Sequence, residues 1–142
     1  MPRILGVDYG ERRIGLAVSD VTGTIANPLP TILRRRGKRP PVARIAEIAR
    51  ELGVERIVVG LPLTSEGEED EWTREVRDFG EKLASRTGLP VDYIDERFTS
   101  ARAERTLREL GLKSSKRREK GLVDATAAVL ILQAYLDRRM NV

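Results

Sequence analysis

Cysteine and histidine are both absent from this 142-residue chain, and each absence removes chemistry. Without thiols or imidazoles there is no zinc finger, no cysteine nucleophile, no histidine base and no Ser-His-Asp relay. Any reaction must run on carboxylates, lysines, arginines, hydroxyls and bound hard cations. Long apolar runs are missing too, since none approaches the roughly 18 residues needed to cross a bilayer. There is no internal repeat and no low-complexity tail. Met1-Pro2-Arg3 leads straight into an apolar strand pattern, so the sequence reads as a soluble, cytoplasmic protein with no membrane contact. Its length fits one domain over residues 1–142 that buries roughly two-thirds of its unfolded surface without staples.

Charge is present in quantity but unevenly spread. The net charge is only +4. Yet Arg34, Arg35, Arg36, Lys38 and Arg39 crowd one connection, and Lys113, Lys116, Arg117, Arg118 and Lys120 crowd another. Without those ten cations and their single acid, Glu119, the remainder holds 16 basic against 21 acidic residues. Positive charge is therefore concentrated on two connections. Such clusters suit a phosphate backbone, because each Lys or Arg contact releases condensed counterions. A solvated loop is the plainer reading of either cluster alone; finding both in connections favours nucleic acid.

The apolar pattern predicts paired strands over 3–8 and 13–19, with a short third at Thr31-Ile32-Leu33 after an Asn27-Pro28 turn and Pro30. Val42, Ile45, Ala46, Ala49 and Leu52 follow helical spacing, and Gly53 stops them. A buried strand at 57–60 follows. Trp72, Val76, Phe79 and Leu83 mark a second helix, Val91 to Ile94 a further strand, and Ala103, Leu107 and Leu110 a third helix capped by Thr99 or Ser100. Residues 112–121 read as a mobile connection. The last helix, about 121–138, is apolar nearly all round, which implies burial against the sheet. This order predicts an α/β mixed sheet: strands 1 to 3 antiparallel, the later two parallel to the first, helices on both faces.

Asp8 then stands out. It ends the run Ile4-Leu5-Gly6-Val7 where packing gives a carboxylate no reason to be, at a strand end where such sheets collect ligands. A turn-forming role is the alternative, since Gly10 follows. Asp95-Glu96-Arg97 continues the strand at 91–94 in the same way, and Asp124 is an acid inside the apolar last helix. Asp124 would otherwise need a salt-bridge partner such as Arg97 or Lys120. Three carboxylates without imidazole are what Mg2+ or Mn2+ needs, and two such ions could hydrolyse a phosphodiester. The acidic run Glu66, Glu68, Glu69, Asp70, Glu71 reads first as a helix start.

Gly6-Val7-Asp8-Tyr9-Gly10 with Arg13-Ile14-Gly15, Ile57-Val58-Val59-Gly60-Leu61-Pro62-Leu63, Asp95-Glu96-Arg97-Phe98-Thr99 and Lys120-Gly121-Leu122-Val123-Asp124-Ala125 together resemble the YqgF (RuvX) family of ribonuclease H-like proteins. Members are described as Holliday junction resolvases and as pre-16S ribosomal RNA nucleases. The resemblance spans residues 6 to 128 and implies a ribonuclease H-like fold with catalytic, metal-holding Asp8, Glu96 and Asp124. Arg97 joins the two basic clusters as a candidate nucleic-acid contact. Two departures stand out. Thr64-Ser65-Glu66 replaces the Asn-Met-Asp of many members, and Ala127 and Ala128 occupy the turn where resolvases of the RuvC type carry a fourth acid. The implied activity is metal-dependent cleavage near the 5' end of precursor 16S rRNA by a monomer or homodimer. The alternatives are a branched-DNA resolvase, a non-catalytic nucleic-acid-binding module, and an ATP phosphotransferase, for which the chain lacks a second lobe.

Overall fold

The computed structural model describes residues 3–35, 37–98 and 120–140. Alternating side chains build the opening hairpin: β1 (Arg3–Tyr9) and β2 (Arg13–Ser19) pair antiparallel, with Leu5 opposite Val18 and Asp8 opposite Gly15. Gly10 makes the turn possible, since a Cβ there would lie 2.6 Å from the Arg13 carbonyl oxygen.

β3 (Ala26–Leu33) pairs antiparallel with β2 and forms one edge of the sheet. It is longer than the sequence pattern suggests, because Asn27-Pro28 lies within the strand and makes no turn. A proline on an edge strand can direct its missing N–H away from the ladder, so neither Pro28 nor Pro30 ends the strand.

The rest alternates helix and strand: α1 (Val42–Glu51), β4 (Val54–Leu61), α2 (Glu71–Thr87) and β5 (Val91–Asp95), then a single 3-10 turn at Glu96–Phe98. α3 (Lys120–Met140) closes the chain. β4 lies parallel to β1, and β5 parallel to β4, giving the five-stranded order β3-β2-β1-β4-β5. This is the mixed sheet expected from the order of elements. Asp70 caps α2: its carboxylate accepts from the Thr73 N–H at 2.9 Å, and the Thr73 hydroxyl accepts from the Asp70 N–H at 3.2 Å. Glu69 pairs with Arg77 at 2.8 Å, so the acidic run does organise a helix start.

The two faces of the sheet are filled differently. Leu5, Val7, Tyr9, Leu16 and Ile57 pack against Ile45 of α1 and Val76, Phe79 and Leu83 of α2. Ile4, Ala17, Ala26, Val58 and Ile94 pack against Ala127, Ala128, Ile131, Leu132 and Leu136 of α3. Helices thus cover both faces. The helix expected from Ala103 to Leu110, and the connection beyond it, lie outside the described residues.

Candidate active site

The period of two along β1 sends Gly6 and Asp8 to the α3 face and Val7 and Tyr9 to the other. A Cβ on Gly6 would meet Leu132 Cβ at 2.7 Å and the Ala128 carbonyl at 3.3 Å, so α3 lies directly on this strand. Asp8, one pleat further, is 4% exposed. Its cross-strand neighbour is Gly15. On the other side Val7 pairs with Val59, and the next step of that ladder sets Gly60 beside Asp8. The carboxylate therefore stands between two residues that have no side chain to crowd it.

Glu96 opens the 3-10 turn directly after β5 and is 1% exposed. Its Oε1 occupies the space above Gly60, 2.5 Å from where a Cβ would be, and Ile131 Cδ1 closes the same space at 2.5 Å. Gly60 thus makes room for one acid and borders the other. Two buried carboxylates from chain positions far apart thus lie at the carboxyl ends of β1 and β5, with β4 and its Gly60 between them. Burying two like charges is costly, and such sites are where function is found.

Asp124 belongs to α3, two turns before Ile131. Ile131 reaches the level of Gly60, whereas Gln133 and Tyr135 bond to Ala26 and Asp92, lower on the sheet. The early turns of α3 therefore point to the end of the sheet that holds Asp8 and Glu96. The Asp124 side chain lies outside the described residues, and among those residues no group of three acids is assembled. Ala127 and Ala128, where a fourth acid was sought, are buried core residues.

The cationic candidates divide. Arg97 is tied to its own turn: Nε and Nη2 donate to Asp95 at 3.0 and 2.7 Å, and Nη1 to the Ser65 carbonyl at 3.2 Å. It packs against Gly67, whose φ of +84° only glycine adopts easily, and so clips the loop after β4 to the turn that carries Glu96. Arg34 is drawn inward, its side chain 7% exposed. The guanidinium lies 4.8 Å over the Tyr9 ring, and Nη1 donates to the Gly10 carbonyl at 3.1 Å. It braces the hairpin, whereas Arg35, Lys38 and Arg39 stand exposed. Tyr9 stacks on Phe79 at 4.2 Å and on Trp72 at 5.4 Å. Burial pushes its phenol above the ordinary value against the pull of Arg34, and the hydrogen bond to Glu75 adds to the rise. Arg36, Lys113, Lys116, Arg117 and Arg118 lie outside the described residues, as does the side chain of Lys120, the first residue of α3.

Sequence reasoning missed Gly15 and Gly60 as site residues. The signal was available, since each is a glycine inside a strand pattern, which marks a close approach.

Two parallel strand ends presenting buried acids beneath a covering helix define a ribonuclease H-like α/β protein. The fold is that of Thermus thermophilus RuvC, solved in complex with a Holliday junction substrate: TM-score 0.56 at 19% identity, over 99% of this chain and 96% of that one. A sequence profile described as RuvX, Holliday junction resolvase, matches residues 2–138, and the chain belongs to that family. Curated relatives carry the name "Putative pre-16S rRNA nuclease". The protein from Chloroflexus aggregans is 49% identical, over 97% of this chain and 95% of its own length. That from Anaeromyxobacter dehalogenans strain 2CP-C is 47% identical, over 96% and 98%.

Proposed function

We propose that this protein is a metal-dependent endonuclease that hydrolyses a phosphodiester near the 5' end of precursor 16S rRNA, in the cytoplasm. The observation that carries the reading is the burial of Asp8 and Glu96, 4% and 1% exposed, at the ends of the two strands that flank β4 and its Gly60. The donor set fits a hard cation: buried carboxylate oxygens, with no competing thiol or imidazole in the chain. Asp8, Glu96 and Asp124 would hold Mg2+ or Mn2+, two ions in the full site. Bound there, the metal supplies an activated water and neutralises charge on the phosphoryl oxygens. The chain's own residues bury the site, fix Glu96 through the Arg97 clip, and bring phosphate in on exposed Arg35, Lys38 and Arg39. The names of the curated relatives support RNA as substrate.

The test is cleavage of precursor 16S rRNA in Mg2+ and in Mn2+ by the parent and by Asp8→Asn. Substitutions one shell away from a metal commonly cost about 10–100-fold, so loss of a ligand should cost at least ~100-fold. Equal rates would remove the carboxylate from the mechanism. The family description and the RuvC fold favour a second reading, resolution of four-way DNA. Resolution needs paired sites, so it requires a dimer in solution and faster cutting of a junction than of precursor RNA.

A further inference from the structure

Two adjoining hollows form a seam along α2, on the side of the sheet away from the acids, the first against Tyr9 and the 34–40 connection and the second against the start of α1. The first, about 470 Å³, opens at Tyr9 and Trp72; the second, about 790 Å³, is walled by Pro40, Pro41 and Val42 and carries Arg39, Lys82 and Arg86. Pro40 and Lys82 line both, so the two adjoin. The first hollow mixes signs, with Glu11, Glu75 and Asp78 beside its lysines. No acid lines the second.

Arg39, Lys82 and Arg86 are exposed, and among the described residues none of them has an ion-pair partner. Two other arginines of the same helices are committed, Arg44 to Glu47 at 2.6 Å and Arg77 to Glu69 at 2.8 Å, while Arg50 and Arg74 have no ion-pair partner among the described residues either. Arg39 comes from the first basic connection, but Lys82 and Arg86 come from the remainder of the chain, where acids outnumber cations, so composition alone does not explain their place in an acid-free hollow. Lys82 and Arg86 are one helical turn apart, about 6 Å along α2, and Arg39 faces them across the seam. That arrangement suits consecutive phosphates.

The seam begins next to the acids. Asp8 and Tyr9 are consecutive on β1 and face opposite sides of the sheet, so a strand leaving the acid site over the sheet end arrives at Tyr9 and Trp72. Trp72 is partly exposed at that mouth and offers a ring for a base to stack on. Hollows of this size accept ligands of small-molecule dimensions, which admits a nucleotide or two and excludes a duplex.

We infer that the seam along α2 binds the single-stranded flank of the RNA whose scissile phosphate lies at Asp8 and Glu96, with Arg39, Lys82 and Arg86 on its phosphates. The inference rests on the nuclease reading above.

The test compares two RNA hairpins, one blunt and one with a ten-nucleotide single-stranded tail, for binding to the parent and to Lys82→Gln/Arg86→Gln in EDTA over a range of salt. The double variant should lose about tenfold in affinity for the tailed RNA and less than twofold for the blunt one. Its log K against log salt slope should flatten by about 1.4, at about 0.7 per phosphate contact on a single strand. Arg39→Gln alone should flatten it by about 0.7. Equal losses on both RNAs, or an unchanged slope, would overturn the inference while leaving the nuclease reading intact if the parent still cuts precursor RNA. A parent that neither binds nor cuts RNA would overturn both. Polyglutamate held as tightly as the tail, and released equally by the double substitution, would assign the seam to an acidic protein partner and overturn the RNA reading.

Discussion

The two faces of this sheet are built from the same strands for different purposes. Against α1 and α2 the strands present Leu5, Val7, Tyr9, Leu16 and Ile57, large side chains that interlock with Phe79 and Leu83. Against α3 they present Gly6, Gly15, Ala17 and Gly60 among Ile4, Val58 and Ile94, and α3 answers with Ala127 and Ala128 beside Ile131, Leu132 and Leu136. Small residues sacrifice buried area but allow the helix to sit close on the strands and leave room at their ends for Asp8 and Glu96. Both faces contribute stability, and the α3 face also supplies geometry. A carboxylate pair cannot be held on a face whose positions are already filled to native density.

The largest expected effect tests the first half of that contrast. Leu83 is fully buried in α2, away from both acids. Leu83→Ala should lower unfolding free energy by about 2–5 kcal/mol, the cost of a cavity in a packed core. Urea titration gives the loss, and cleavage per folded molecule should stay within twofold of the parent. A loss of activity matching that of Asp8→Asn would show that the two faces are not separable.

Gly60→Ala reverses the pattern. The new Cβ meets Glu96 Oε1 and Ile131 Cδ1, both at 2.5 Å, and both are side-chain ends that can yield. The stability cost should be about 1–3 kcal/mol, typical of overpacking. Cleavage should fall about 10–100-fold, as for other substitutions that displace a metal ligand without removing it. Activity within twofold of the parent would deny that the space above Gly60 positions Glu96.

What the sequence disclosed followed periodicity. Strands 3–8 and 13–19, the helix from Val42, and the helix through Trp72, Val76, Phe79 and Leu83 were legible because each has one apolar face. The mixed sheet followed from their order. β3 was legible only in part: its prolines argued for the sheet edge where it lies, but Asn27-Pro28 read as a turn and hid the first half of the strand. Arg34 was misjudged by its neighbours: three adjacent arginines look alike in sequence, but β3 turns this one toward Tyr9 and Gly10. The pairing of Arg97 with Asp95 was hidden for a similar reason, because contacts two residues apart leave no periodic trace. Asp8 and Glu96 were legible as acids at strand ends. That Gly60 lies between them needs the register of three strands.

The smallest effect lies within the α1–α2 face, where the two helices begin differently. α1 has no capping side chain and no acid in its first turn, and it starts at the cationic seam; α2 has the reciprocal Asp70–Thr73 box. The Thr73 hydroxyl, ahead of the Thr73 N–H, holds the Asp70 carboxyl below its ordinary value. A depressed folded pKa adds stability above the unfolded value of about 3.9, and that stability disappears as pH falls through the folded value. Asp70→Ala should therefore lower Tm at neutral pH, and the gap to the parent should close as the solution is acidified below about pH 3.9. Cleavage should not change, because the box orders only the start of α2 and reaches neither acid. A gap that persists at low pH would assign the loss to the neutral hydrogen bonds of Thr73, and the charge on Asp70 would then have no part in holding α2 in place.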